Sequence, residues 1–240
     1  MGNKEKWLLW EDIDRSPFLN MAIDELLLEK SSPDEMPILR IYGWDRPSIS
    51  IGYVQDFAAA EAPGYTVVRR PTGGGVVYHD KDLTYTVIIP AGHTINKLGR
   101  LDSYHVLHHA VLNALENLGH KEAGLSPDEM PPVDRATMQC FTTPTRYDVI
   151  SMGRKFAGSA QRRTKKGILH QGSISLDASD GNKNLLIKTI ISGFIKILAL
   201  DFISYMPDDA LLTEASDLAE KKYKTTEWNM GESEKRWRQT

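Results

Sequence analysis

Five short runs of strand-forming residues crowd between Ile38 and Ile89, with one helical segment before them and another after. Ile38–Tyr42, Ser48–Tyr53, Tyr65–Arg70, Val76–Tyr78 and Leu83–Ile89 are rich in β-branched and aromatic residues. Gly, Pro and Asp separate them, the pattern of extended segments joined by turns. The preceding segment, Phe18–Lys30, carries Met21, Ala22, Leu26 and Leu28 at helical spacing behind a Ser16-Pro17 start signal, and Pro33 and Pro37 end it. Asp102–Leu118 repeats the helical spacing with Val106, Leu107, Ala110, Val111, Ala114 and Leu118. Residues Gly124–Thr137, rich in proline and acid, read as a surface loop leading to Cys140. Tyr147–Met152, Lys155–Ala157 and Ile168–Leu176 add strands, and helices are expected from there to the C-terminus. Strands clustered between helical ends predict an α+β domain, a mixed β-sheet flanked by helices, with residues 1–240 as one domain.

Composition narrows the function classes. With a net charge of −3 there is no overall positive field to favour nucleic acid. One cysteine excludes an internal disulfide framework and every cysteine-cluster metal site, and suits a reducing compartment. The N-terminus lacks a secretory apolar region, turning polar again at Glu11, and Lys6 spoils a myristoylation look-alike beginning at Gly2. Leu185–Leu200 is strongly apolar but short, and it contains Lys188 and Lys196, so it reads as a buried helix and not a membrane span. These features predict a soluble, cytoplasmic protein with no membrane partner.

The densest signal for chemistry is Arg69-Arg-Pro-Thr-Gly-Gly-Gly-Val-Val-Tyr-His-Asp80. Gly73, Gly74 and Gly75 at a strand end let the backbone take conformations that a Cβ forbids, and let a ligand approach peptide N–H groups. Arg69 and Arg70 flank them on opposite faces of a strand, and His79-Asp80 is placed to order the loop by hydrogen bonding. A simple turn with solvated arginines is the other reading of the same residues. Neither familiar nucleotide fingerprint occurs.

The second signal is Gly153-Arg-Lys-Phe-Ala-Gly-Ser-Ala-Gln161. Lys155 either points into a site lined by Gly158, Ser159 and Ala160 or sits on a hairpin surface. The basic run from Arg154 to Lys166 is either a solvated face or a docking patch for an acidic partner. The third signal is Cys140, in a polar, turn-like setting: a small buried hydrophobe, or a nucleophile if a nearby ammonium raises its thiolate fraction. His105, His108 and His109 share a helix without metal-ligand spacing and are expected at the surface or an interface.

Taken together, these segments resemble the biotin/lipoate protein ligase and octanoyltransferase family. The resemblance runs from Asn20-Met-Ala-Ile-Asp-Glu25 and Ile51-Gly-Tyr-Val-Gln55 through the two motifs above to His170-Gln-Gly-Ser-Ile174. It implies a biotin/lipoate ligase-type catalytic domain, with an extended acyl group threaded beneath the glycine loop. Arg70, Gly73, Gly74, Gly75, His79, Gly158, Ser159 and Ala160 would then bind substrate. Cys140–Val149 looks like the stretch before the Lys motif in octanoyltransferases that use a cysteine nucleophile, and Glu227–Ser233 fits their helical C-terminal tail, with no accessory domain expected. The resemblance implies Cys140 and Lys155 as catalytic residues. Octanoyl-acyl carrier protein would be the donor, and a lipoyl-domain protein such as the glycine-cleavage H protein the acceptor. No metal and no ATP would be required, because a thioester is already activated. An ATP-dependent lipoate or octanoate ligase, an amidotransferase between lipoyl-domain proteins and a non-catalytic binding module are the other readings. The ligase would survive loss of Cys140, and the binding module would need no nucleophile.

Overall fold

The computed structural model describes residues 4–60, 62–127, 146–175 and 183–231. Their strands are β1 (Glu5–Arg15), β2 (Ile38–Trp44), β3 (Ser48–Ile51), β4 (Thr66–Arg69), β5 (Val77–His79), β6 (Asp82–Pro90), β7 (Ala123–Leu125), β8 (Val149–Ser151), β9 (Arg154–Thr164), β10 (Gly167–Ser175) and β11 (Leu200–Ser204). The helices are α1 (Pro17–Glu29), α2 (Thr94–Lys97), α3 (Arg100–Asn117), α4 (Lys183–Leu198), α5 (Asp209–Leu218) and α6 (Thr226–Met230). Eight strands form one sheet in the order β11-β1-β2-β6-β10-β9-β8-β7, and β4-β3-β5 form a second, three-stranded sheet. Both are mixed. In the large sheet β1 runs parallel to β2 and β11 while the other neighbours are antiparallel, and in the small one β3 is parallel to β4 and antiparallel to β5. The expected α+β architecture of a mixed sheet flanked by helices is what forms.

Alternation along the central strand shows how the layers are built. Leu83, Tyr85, Val87 and Ile89 of β6 face a core shared with Leu107, Ala110, Val111 and Ala114 of α3 and Ile190 and Phe194 of α4. Ile88 faces the opposite way, into a core with Met21, Ile23 and Leu27 of α1 and Leu169 of β10. A strand covered on both faces needs apolar residues at both parities, which is why Val87-Ile-Ile89 is an unbroken run. α1 starts where the Ser16-Pro17 signal puts it: the Ser16 hydroxyl accepts from the Leu19 amide at 3.2 Å, and Pro17 fills the first helical turn.

Four local expectations need correcting. β1, an eleven-residue strand with Trp7 and Trp10 buried, occupies the N-terminal stretch whose polar Glu11–Asp14 half concealed it. Gly124 and Leu125 of the expected loop instead belong, with Ala123, to the edge strand β7. β11 interrupts the C-terminal helices and pairs parallel with β1. The Leu185–Leu200 run forms the expected helix only as far as Leu198, with Leu200 opening β11, and that helix is amphipathic: Leu186, Ile190, Gly193 and Phe194 are buried while Lys188 and Lys196 are exposed. Among the described residues no helix is long and apolar enough to cross a membrane.

Candidate functional site

The loop between β4 and β5 carries the glycine triplet over β9. Gly74 has φ +86°, and a Cβ there would stand 2.9 Å from Arg70 Nη2 and 3.5 Å from the Ala160 Cβ. Both the backbone angle and the space therefore demand glycine. The two arginines are buried and not solvated. Arg70 donates from Nε and Nη2 to the Gly73 carbonyl at 3.1 and 2.7 Å, from Nη2 to the Gly75 carbonyl at 2.7 Å, and from Nη1 to the Ser50 carbonyl and hydroxyl at 2.9 and 3.1 Å. Arg69, on the opposite face, donates to the carbonyls of Gly52, Tyr53 and Gln55 and to those of Trp228 and Asn229 in α6. Asn229 Oδ1 accepts from the Arg69 amide at 2.7 Å. Arg70 shapes the loop, and Arg69 clasps the C-terminal helix to it.

His79 orders this region as expected, but through a different carboxylate. Its Nδ1 lies 2.7 Å from Asp82 Oδ2 and its Nε2 2.8 Å from the Ser50 hydroxyl, while Asp80 accepts from Tyr65. Asp82, a carboxylate, accepts from Nδ1, and the Ser50 hydroxyl that meets Nε2 also accepts from Arg70. Trp44 stacks on the imidazole at 3.9 Å. A second chain runs beneath the loop: the Thr72 hydroxyl donates to Gln171 Oε1 and Gln171 Nε2 to Asp24 Oδ2, both at 2.7 Å.

Lys155 is only 3% exposed, which overturns the surface-hairpin reading. Its Nζ lies 2.7 Å from Asp148 Oδ2, with both side chains about equally enclosed. A bulge puts it there. Val149 pairs with Ala157 and Ile150 with Lys155, so Phe156 is the extra residue that switches Lys155 onto the face shown by Gly158. A Cβ at Gly158 would meet Lys155 Cε at 2.3 Å and Nζ at 2.5 Å, which is the steric reason for glycine three residues after the lysine. Ala160 closes the same face against Gly74.

Ser159 points the other way and is only half-buried; its Oγ sits 2.5 Å from His108 Nε2. His108 is 1% exposed and is therefore no surface histidine, although His105 is exposed. Burial pushes the His108 pKa down, and burial with His108 nearby pushes His170 well down. Burial also pushes the Tyr104 phenol up to about 12. The structure thus gathers Arg70, Gly74, Lys155, Gly158 and Ala160 into one region, with His79 and Ser159 reaching it through Ser50 and the β9 backbone. Cys140 lies outside the described residues. Sequence reasoning missed Asp148, Asp82, Ser50 and Thr72. A polar residue inside a strand-like run, as Asp148 is, was the available sign.

The lipoyl protein ligase A/B catalytic domain model matches residues 16–191, from the cap of α1 into α4. The chain is 39% identical over 183 residues to the octanoyltransferase LipM of Kyrpidia tusciae, covering 72% of this chain and 67% of that protein. It is 32% identical over 272 aligned positions to the octanoyltransferase LipM of Halalkalibacterium halodurans, covering 94% and 99%. Among solved structures it is similar to the bi-partite lipoate protein ligase of Thermoplasma acidophilum, with TM-score 0.75 and 24% identity, covering 95% of this chain and 97% of that one, a likeness of fold. The matched span holds Arg70, Gly74, Lys155, Gly158 and Ala160, though not Trp228 and Asn229 of α6, and on this evidence the chain belongs to the lipoyl protein ligase A/B catalytic-domain family.

Proposed function

We propose that this protein is an acyltransferase of lipoate biosynthesis, moving octanoyl from octanoyl-acyl carrier protein to the acceptor lysine of a lipoyl domain, such as that of the glycine-cleavage H protein, through a thioester on Cys140. The observation that carries the proposal is identity to octanoyltransferases over nearly the whole of both chains. The enclosed Lys155–Asp148 pair beside a glycine loop supports it chemically. Residues 1–240 act as one catalytic domain, and the reaction belongs to the cytoplasm.

The step is ping-pong acyl transfer. The Cys140 thiolate attacks the donor's thioester carbonyl, a tetrahedral oxyanion forms, and the carrier's thiolate leaves and takes up a proton. The acceptor lysine, as a neutral amine, then attacks the octanoyl-cysteine. It loses its proton, the Cys140 thiolate departs, and the enzyme is restored. Lys155 presents positive charge to the reacting sulfur and oxygen, and Asp148 fixes its direction. Backbone N–H groups at Gly73–Gly75 or Gly158–Ala160 donate to the oxyanion.

The test is to mix the protein with octanoyl-acyl carrier protein without ATP and weigh the intact chain. A mass gain of one octanoyl group in the wild type and none in Cys140→Ala is expected. No adduct in the wild type, or an adduct retained by the variant, would overturn the proposal. Gly158→Ala is expected to lower the acylation rate about tenfold to a hundredfold, because the new methyl pushes Lys155 away from Asp148 by an ångström or more. Unchanged single-turnover kinetics in that variant would show that the position of the ammonium is immaterial.

A further inference from the structure

His108 joins the two backbone segments from which the Lys155–Asp148 pair is built. From α3 its ring reaches Tyr147, next to Asp148, and Ser159, next to Gly158. Nδ1 lies 2.5 Å from the Tyr147 carbonyl oxygen. A carbonyl only accepts, so the proton is on Nδ1, Nε2 carries the lone pair, and the Ser159 hydroxyl donates to it. Tyr147 has φ 66°, a left-handed conformation that a non-glycine side chain seldom adopts unless its surroundings hold it. The hold comes from three sides. His108 takes its carbonyl, the Ser126 carbonyl accepts from its amide at 3.3 Å, and the His105 ring packs edge-on against it at 4.9 Å.

We propose that His108 is a positioning residue: as a neutral imidazole it clamps the Tyr147 turn to Ser159 and thereby holds Asp148 in register with Lys155. The inference rests on the octanoyl-transfer reading only for its effect on rate; the clamp itself is a property of the fold. It also gives the site an acid limit. Asp148 and Lys155 face His108 from the β8–β9 side, Tyr104 and His105 from its own helix, and His170 from β10. Protonation of Nε2 would place a buried positive charge near that of Lys155 and turn the Ser159 hydroxyl from donor to acceptor, disfavouring the clamped arrangement. Burial holds the imidazole neutral below the ordinary histidine range, with Asp148 and the Tyr147 carbonyl opposing. The break is therefore expected on the acid side of pH 6.5.

The experiment uses the full chain with His108→Ala, His108→Gln and Ser159→Ala. Glutamine offers a donor and an acceptor but does not titrate. His108→Ala is expected to lower kcat for octanoyl transfer about tenfold to a hundredfold with KM within threefold, as expected for a misplaced catalytic group. His108→Gln should recover part of the loss and flatten the acid limb of the pH profile. Ser159→Ala should give an intermediate loss. The readout independent of activity is the NMR signal of the Lys155 ammonium, slow to exchange while paired with Asp148. It should broaden or vanish in His108→Ala and persist in His108→Gln. If His108→Ala does not fold, Ser159→Ala and His108→Gln carry the comparison. An unchanged ammonium signal and unchanged kcat in all three variants would overturn the positioning role. An ammonium signal that responds in a protein that transfers no octanoyl would uphold the clamp and overturn the function assigned above.

Discussion

Lys155→Met is expected to slow formation of the octanoyl-enzyme by about a hundred- to a thousand-fold, the effect typical of removing a preorganised partner of a developing charge. The single substitution also leaves Asp148 buried without its ammonium, and breaking such a pair typically costs about 3–5 kcal/mol of stability. Lost activity alone would therefore be ambiguous. Asp148→Asn in the same chain removes the stranded charge, so Lys155→Met with Asp148→Asn should return to within about 1.5 kcal/mol of wild type while staying slow. Urea denaturation midpoints and single-turnover acylation separate the two effects. A double variant that is stable and fast would remove the ammonium from the mechanism. The carboxylate also tempers the electrostatics. An ammonium 4 Å from a thiolate at an effective dielectric near 20 contributes roughly 4 kcal/mol when alone, but Asp148 opposes much of that field. Iodoacetamide labelling of Cys140 against pH should therefore shift less in Lys155→Met than for a lysine without a carboxylate neighbour.

What the sequence disclosed and what it hid divide along physical lines. Period-two alternation, a Ser-Pro cap and a glycine triplet act over a few residues, so the strands from β2 to β6, helix α1 and the loop over β9 were legible. β1 was hidden because its second half turns polar from Glu11, with Asp12 and Asp14 interrupting any apolar alternation. Asp12 in fact enters the fold interior and accepts from Arg40 Nη2 at 2.8 Å. The setting of Lys155 was hidden because one extra residue, Phe156, reverses the face that simple alternation assigns. The burial of His108, expected at the surface or an interface, is not legible because α3 mixes exposed and buried histidines in one turn. The polar chain beneath the loop joins Asp24 to Gln171 across 147 positions, a separation that no local pattern records.

That chain is also where the fold is most vulnerable, and Asp24→Ala tests it. Asp24 and Arg40 are both fully buried, with Nη1 donating to Oδ1 at 2.7 Å. Oδ2 accepts from the Tyr42 hydroxyl at 3.0 Å and from Thr86 and Gln171 at 2.7 Å each. Removing the carboxylate strands three donors together and takes from Arg40 one of its two carboxylate partners, leaving its guanidinium on Asp12 and Asn20. With Asp12 still paired to the guanidinium, the ionic part is expected to cost less than the about 3–5 kcal/mol of a buried pair broken outright. Each orphaned donor adds about 1–3 kcal/mol before relaxation, and these terms are not additive. Against a typical domain stability of 5–15 kcal/mol, the variant should be largely unfolded or close to its midpoint at 37 °C. Arg40→Met fails for the reciprocal reason, since it leaves Asp24 charged in the interior without its ion-pair partner. Asp24→Ala together with Arg40→Met removes both charges, and its stability should exceed that of either single variant if the penalty is electrostatic. A double variant no more stable than the worse single one would instead assign the loss to the packing of Arg40 over the Tyr42 ring, 4.0 Å from its guanidinium carbon.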